Sequence, residues 1–136
     1  MSGNTPRDLS SELALYAFEC ASAASEESKK YNIFKKYPQY VKKMPAMIRN
    51  SGFAKAFAFG YSKDETKGDG KVYGQINSDI RGWLKKKGLL DEKINDTKSM
   101  IEALVGMDYA KYQLCVNETM AFLDWLRRLA EGMFPD

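Results

Sequence analysis

The chain has 136 residues, 44% of them apolar and 29% charged, with a formal net charge of +3. That length suits one domain able to build a core without staples, and the composition is neither disordered nor membrane-like. No apolar run approaches the roughly 20 residues of a membrane span. Residues 1–8 are polar and lack the apolar stretch of a secretory signal.

Histidine is absent. This removes the commonest neutral-pH base and metal ligand, and excludes Ser-His-Asp and Cys-His catalysis. Cys20 and Cys115 are too few for a cysteine-based zinc site. Each sits among apolar residues at helical spacing and reads as a small buried hydrophobe rather than half of a disulfide. Gly68-Asp69-Gly70-Lys71 lacks the spacing of a phosphate-cradling loop. No cofactor or metal is expected.

The charge is uneven. Residues 28–62 contain no Asp or Glu but carry Lys29, Lys30, Lys35, Lys36, Lys42, Lys43, Arg49 and Lys55. A one-sided basic stretch interleaved with aromatics is an electrostatic footprint for a polyanion; the plainer reading is a solvated surface.

In chain order, Thr5-Pro6-Arg7-Asp8 reads as a helix start, with Thr5 as cap and Pro6 in the first turn. Leu9, Leu13, Tyr16, Ala17, Cys20, Ala21 and Ala24 then repeat at helical period, and the helix should fade over 26–30. Pro38 can open a second short helix, with a kink or restart at Pro45 and an end near Asn50. Ser51-Gly52 makes a turn, and 53–61 is a short helix with Phe53, Phe57 and Tyr61 on one stripe.

Residues 62–70 form a polar loop, the best candidate for mobility and for a divide between two halves of a single helical domain over 1–136. Residues 71–87 read as a helix burying Val72, Tyr73, Ile76, Ile80, Trp83 and Leu84, stopped by Gly88. After a connector, 99–105 is helical with Ser99 and Glu102 at capping-box spacing. Asp108 caps the last helix, whose apolar set is Tyr112, Cys115, Val116, Thr119, Phe122, Leu123, Leu126 and Leu129. Strand-like alternation is absent. The expected fold is all-α, a compact bundle of about six helices with no sheet.

No spacing of carboxylates announces a paired-acid site. Tyr31, Phe34, Tyr37 and Tyr40 interleave with lysine pairs and could stack on unpaired bases or anchor the connector to the core. Lys85, Lys86 and Lys87, and likewise Arg127 and Arg128, lie late in their helices, where the helix dipole alone explains cations. Trp125 sits at the edge of the last helix's apolar stripe, where a large aromatic marks a docking surface or completes a wide core.

The segment Tyr40-Val41-Lys42-Lys43-Met44-Pro45-Ala46-Met47-Ile48-Arg49-Asn50-Ser51-Gly52-Phe53 resembles a motif of the small subunit of the type III-B CRISPR RNA-silencing complex, the Cmr complex. So do Ala56-Phe57-Ala58-Phe59 and the tail Ala121-Phe122-Leu123-Asp124-Trp125-Leu126-Arg127-Arg128-Leu129-Ala130-Glu131. The order and spacing cover nearly the whole chain.

The resemblance implies a non-catalytic, all-helical, cytoplasmic subunit whose copies stack beside the crRNA-bearing backbone subunits and contact the large subunit. Guide and target RNA run in the groove between, and cleavage belongs to the backbone subunits. The family's RNA-facing surface carries over to Lys42, Lys43, Arg49 and Lys55, with Arg127 and Arg128 alongside, and Trp125 is a candidate protein interface. Two rivals remain. One is a free-standing nucleic-acid-binding protein using 71–87 as a recognition helix. The other is a purely protein-binding adaptor.

Overall fold

The computed structural model describes residues 9–135. Six α-helices and one 3-10 helix account for the regular structure there: α1 (Leu9–Lys30), the 3-10 helix (Asn32–Lys36), α2 (Tyr37–Ser51), α3 (Phe53–Tyr61), α4 (Gly68–Lys86), α5 (Thr97–Val105) and α6 (Tyr109–Met133). The described residues contain no strand, so the all-α expectation is met. The expected start at Thr5 to Asp8 lies outside the described residues.

α4 is the central helix. It packs against α2, α3, α5, α6 and the 3-10 helix, and Tyr16 of α1 reaches it as well. The Tyr16 hydroxyl donates to the Asp79 backbone oxygen at 2.7 Å, and its ring lies 5.4 Å from Trp83 and 5.5 Å from Phe122. Val72, Tyr73, Ile76, Ile80, Trp83 and Leu84 are all buried, the set the 3.6-residue period selects. Trp83 satisfies its indole N–H by donating to Glu118 at 2.9 Å. α1 and α6 lie side by side in the same direction: Tyr16 meets Phe122, and Ser22 meets Met133.

Helix ends follow their chemistry. Gly88 takes φ 73 after α4. Its N–H donates to the Lys85 carbonyl and that of Leu89 to the Leu84 carbonyl, a closure that needs a left-handed residue. Asp108 accepts from the Lys111 N–H at 2.9 Å and caps α6. α5 starts earlier than the Ser99 spacing suggested. Asp96 is its cap, accepting from Ser99 N–H at 2.8 Å, and Thr97 is buried as the first helical residue.

Two other expectations are corrected. Of the kink or restart expected at Pro45, the restart does not occur: α2 is one helix through the proline. Its buried face, Tyr37, Tyr40, Val41, Met44 and Ile48, lies on both sides of the proline, and packing of that face outweighs one lost backbone bond. The polar loop is shorter than 62–70, because α4 begins at Gly68. A Cβ on Gly70 would collide with the carbonyl oxygens of Lys63 and Asp64, so glycine is what lets the loop fold down on the first turn. The loop is also tied: Glu65 Oε2 accepts from Asn77 Nδ2 at 3.1 Å and from Thr97 Oγ1 at 2.9 Å. Helices before and after it share one apolar core.

Among the apolar contacts of α1, α2 and α4 sits one carboxyl. Asp79 Oδ1 accepts from Gln75 Nε2 at 2.9 Å. Oδ2 is sealed from solvent and completes no hydrogen bond of good geometry, nor does the buried hydroxyl of Tyr37. Burial raises the Asp79 pKa to about 7, opposed by Gln75, Cys20, Tyr37 and Arg81 nearby.

Candidate nucleic-acid interface

Lys42 and Lys43 lie in the middle of α2, Arg49 in its last turn, and Lys55 in the first turn of α3. All four side chains are exposed. Lys42 and Arg49 are seven residues apart, so they stand two turns apart on one face. Lys43 is one position round, its ammonium 5.4 Å from the Tyr40 ring centroid. None of the four has an ion-pair partner among the described residues. With no acid between 28 and 62, their charge is uncompensated locally, as a phosphate-tracking surface requires.

Arg127 and Arg128 are placed differently. Both are on α6, and both are engaged by acids. Arg127 lies 3.7 Å from Asp124 and 3.7 Å from Glu131, and Arg128 3.8 Å from Asp124. Trp125 is 39% exposed. Leu114 on α6 and Leu15 and Phe18 on α1 are exposed too, so the two helices that pack in parallel both present large apolar side chains to solvent.

The aromatic interleaving resolves toward anchoring. Phe34, Tyr37 and Tyr40 are buried. Tyr37 stacks on Phe134 at 5.6 Å and Tyr40 on Tyr73 at 4.6 Å. Tyr31 alone of the four is exposed, with the Lys71 ammonium 3.8 Å from its ring centroid.

Two concavities were not foreseen. One, about 280 Å³, lies between α2 and α3 and is lined by Met47, Ser51, Lys55, Ala56, Ala58 and Phe59. The other, about 310 Å³, opens beside α4. Glu65, Lys71, Gln75, Ser78, Arg81 and Asn95 are among its lining residues. Burial pulls the Arg81 pKa down, against the pull of Glu65, Asp96 and Asp79. Arg81 Nη1 is buried without a hydrogen-bond partner. No sequence motif marks this cleft; its one signal is an arginine set between the core positions Ile80 and Trp83.

Among the described residues, no group of three His, Cys, Asp or Glu is placed to hold a metal ion. Both cysteines are free and buried, and burial pushes each thiol up, away from the reactive thiolate. No described helix is long and apolar enough to cross a membrane. Every residue of α4 from 69 to 85 is at least partly covered by the bundle, unlike the open face of a groove-entering recognition helix.

Fold and surface together define an all-helical bundle whose most prominent polar feature is an unpaired basic face on α2 and α3. Residues 9–133 match the family described as CRISPR-associated protein (Cas_Cmr5), and the chain belongs to that family. The resemblance to the Cmr small subunit is therefore correct, and the chain is a CRISPR-associated subunit of the Cmr type. Its fold is similar to that in the X-ray crystal structure of a CRISPR-associated Cmr5 family protein from Thermus thermophilus. The two share 21% identity and a TM-score of 0.68, over 93% of this chain and 97% of that one.

Proposed function

We propose that this protein is a non-catalytic structural subunit of a cytoplasmic Cmr effector complex acting in antiviral defence, stacked along the groove that holds guide and target RNA. The observation that carries the reading is the set of four exposed cations, Lys42, Lys43, Arg49 and Lys55, without acidic partners on adjoining helices. They neutralise RNA phosphates. Arg127 and Arg128 flank the RNA path more weakly, because Asp124 and Glu131 already share their charge. Trp125 and the exposed apolar residues of α1 and α6 meet neighbouring copies and the backbone and large subunits.

The test is target-RNA binding by the assembled complex across a salt series. The complex carrying Lys42→Gln, Lys43→Gln, Arg49→Gln and Lys55→Gln should bind more weakly. Its slope of log affinity against log salt should be shallower by about 0.7 for each single-stranded phosphate no longer neutralised. An unchanged slope and affinity would make the chain a protein-binding adaptor with solubilising lysines.

A further inference from the structure

The groove between α2 and α3 lies inside the basic face. Met47 and Ser51 line it from α2, and Lys55, Ala56, Ala58 and Phe59 line it from α3. Residues four apart on a helix are surface neighbours. Lys43 therefore stands one turn before Met47, and Lys55 one turn before Phe59. Lys63, just past the end of α3, holds its ammonium 5.0 Å from the centroid of the Phe59 ring. No acid lines the groove, and Lys43, Lys55 and Lys63 are all exposed.

Phe59 is 42% exposed, so a ligand in the groove reaches its ring. That ring is also held in place. It meets Tyr73 perpendicularly at 5.4 Å, and Tyr73 stacks on Tyr40 at 4.6 Å. Tyr40 and Tyr73 are buried, which makes Phe59 the outer end of a row of three aromatics rooted in the core. A platform fixed in advance loses little freedom on binding.

The groove encloses about 280 Å³, just under the range of about 300–1,000 Å³ for whole small-ligand sites. It admits one flat ring system and leaves the rest of a ligand outside, among the lysines. Apart from Lys55, Ser51 is the one polar side chain in the lining. Shape and apolar contact therefore select the occupant, rather than a pattern of hydrogen bonds. An apolar protein side chain would fill the groove and leave the cations unused. A nucleotide uses both, since its base has an apolar face and its phosphate is an anion.

We propose that the α2–α3 groove is a base-stacking site: one unpaired base of an RNA strand lies in it against Phe59, with the adjoining phosphates at Lys43, Lys55 and Lys63. A paired base keeps its faces stacked within the duplex and does not enter. Every base has a π-face, so the site tolerates any sequence. The inference rests on the RNA-contacting reading above and adds Phe59 and Met47 to it, which a surface for phosphates alone does not need.

The experiment is binding of a fluorescein-labelled adenosine hexanucleotide by the full chain, read by anisotropy. The comparison strand is a hexamer of abasic ribose phosphates, which keeps the charge and removes the bases. The hexanucleotide should bind about five- to a hundredfold tighter. Phe59→Ala should bring its affinity down to that of the abasic strand. So should Ser51→Leu, which fills the groove from an exposed position. Neither should alter abasic binding or the circular dichroism, and Phe59→Tyr, which keeps a ring, should keep the preference. Equal affinity of the unsubstituted protein for the two strands, no binding of either, or a preference that survives both variants would overturn the proposal. An equal loss for duplex RNA in Phe59→Ala would show that no unpaired base is involved. Tighter binding of an acidic peptide of equal charge with one aromatic residue would give the groove to a protein segment. Failure of the phosphate-backbone reading shows separately, as an unchanged salt slope in the complex carrying the four lysine and arginine substitutions.

Discussion

Replacing Asp79 by asparagine should stabilise the fold at pH 8 and flatten its pH dependence. In the unfolded chain Asp79 titrates near the ordinary 3.8, whereas in the fold burial raises its pKa to about 7. The folded state therefore holds its proton over a range where the unfolded state has lost it. The Asp79 contribution to stability is fully present below about 4, is lost as pH rises through about 7, and is flat above that. At about 1.4 kcal/mol per pH unit, the full loss is about 4 kcal/mol. Asparagine keeps an oxygen for the Gln75 donor and carries no charge to bury. For a chain of this size the change amounts to about 10–15 °C in Tm at pH 8. Thermal or urea unfolding followed by circular dichroism from pH 5 to about 8 measures it, a window with no histidine to titrate and below the ordinary thiol range of Cys20 and Cys115. Parallel pH profiles for the two proteins, or a less stable variant at pH 8, would refute the reasoning.

Gly70→Ala should destabilise the protein by about 1–3 kcal/mol in urea unfolding. Its Cβ would meet two backbone carbonyls that cannot turn aside, so the loop must lift and strain the Glu65 anchor. Trp125→Ala should leave the isolated protein folded at a cost of about 1–3 kcal/mol, because at 39% exposure most of the side chain is still covered by the bundle. Its retention in purified complex should nevertheless fall, by co-purification with the backbone subunits; unchanged retention would remove Trp125 from the interface.

Much of the bundle is legible because local chemistry and burial agree. α3 occupies 53–61 as expected, since Gly52 opens it and the apolar run is short. The α4 core residues follow period alone, and Gly88 and Asp108 end and begin helices for reasons a sequence carries. The departures occur where tertiary contact decides. Gly68 and Gly70 look like loop until the Lys63 and Asp64 carbonyls are laid against them. Pro45 looks like a break until the buried face on both sides is counted. Tyr61, expected on the α3 stripe, is exposed, its place facing the core taken by Gly60 against Tyr73. The basic face on α2 and α3 was readable as a charge run. The cleft beside α4 was not, because α1, the 3-10 helix, the 62–67 loop, α4, the connector residues 95 and 96 and the first residue of α5 each contribute to it and no spacing links them.

The parallel pairing of α1 with α6 bears on how the protein emerges from the ribosome. α1 finishes at Lys30 and its main partner does not begin until Tyr109. At about 5–20 residues per second, the apolar face of α1 waits on the order of ten seconds for that partner to be made. The small side chains on that face, Ala17, Ala21 and Ala24, make it a poor seed for aggregation during the wait while still admitting close approach of α6 at the end. A chain released before α6 is complete would leave that face uncovered, so truncated products are expected to be cleared by proteases rather than to accumulate as folded fragments.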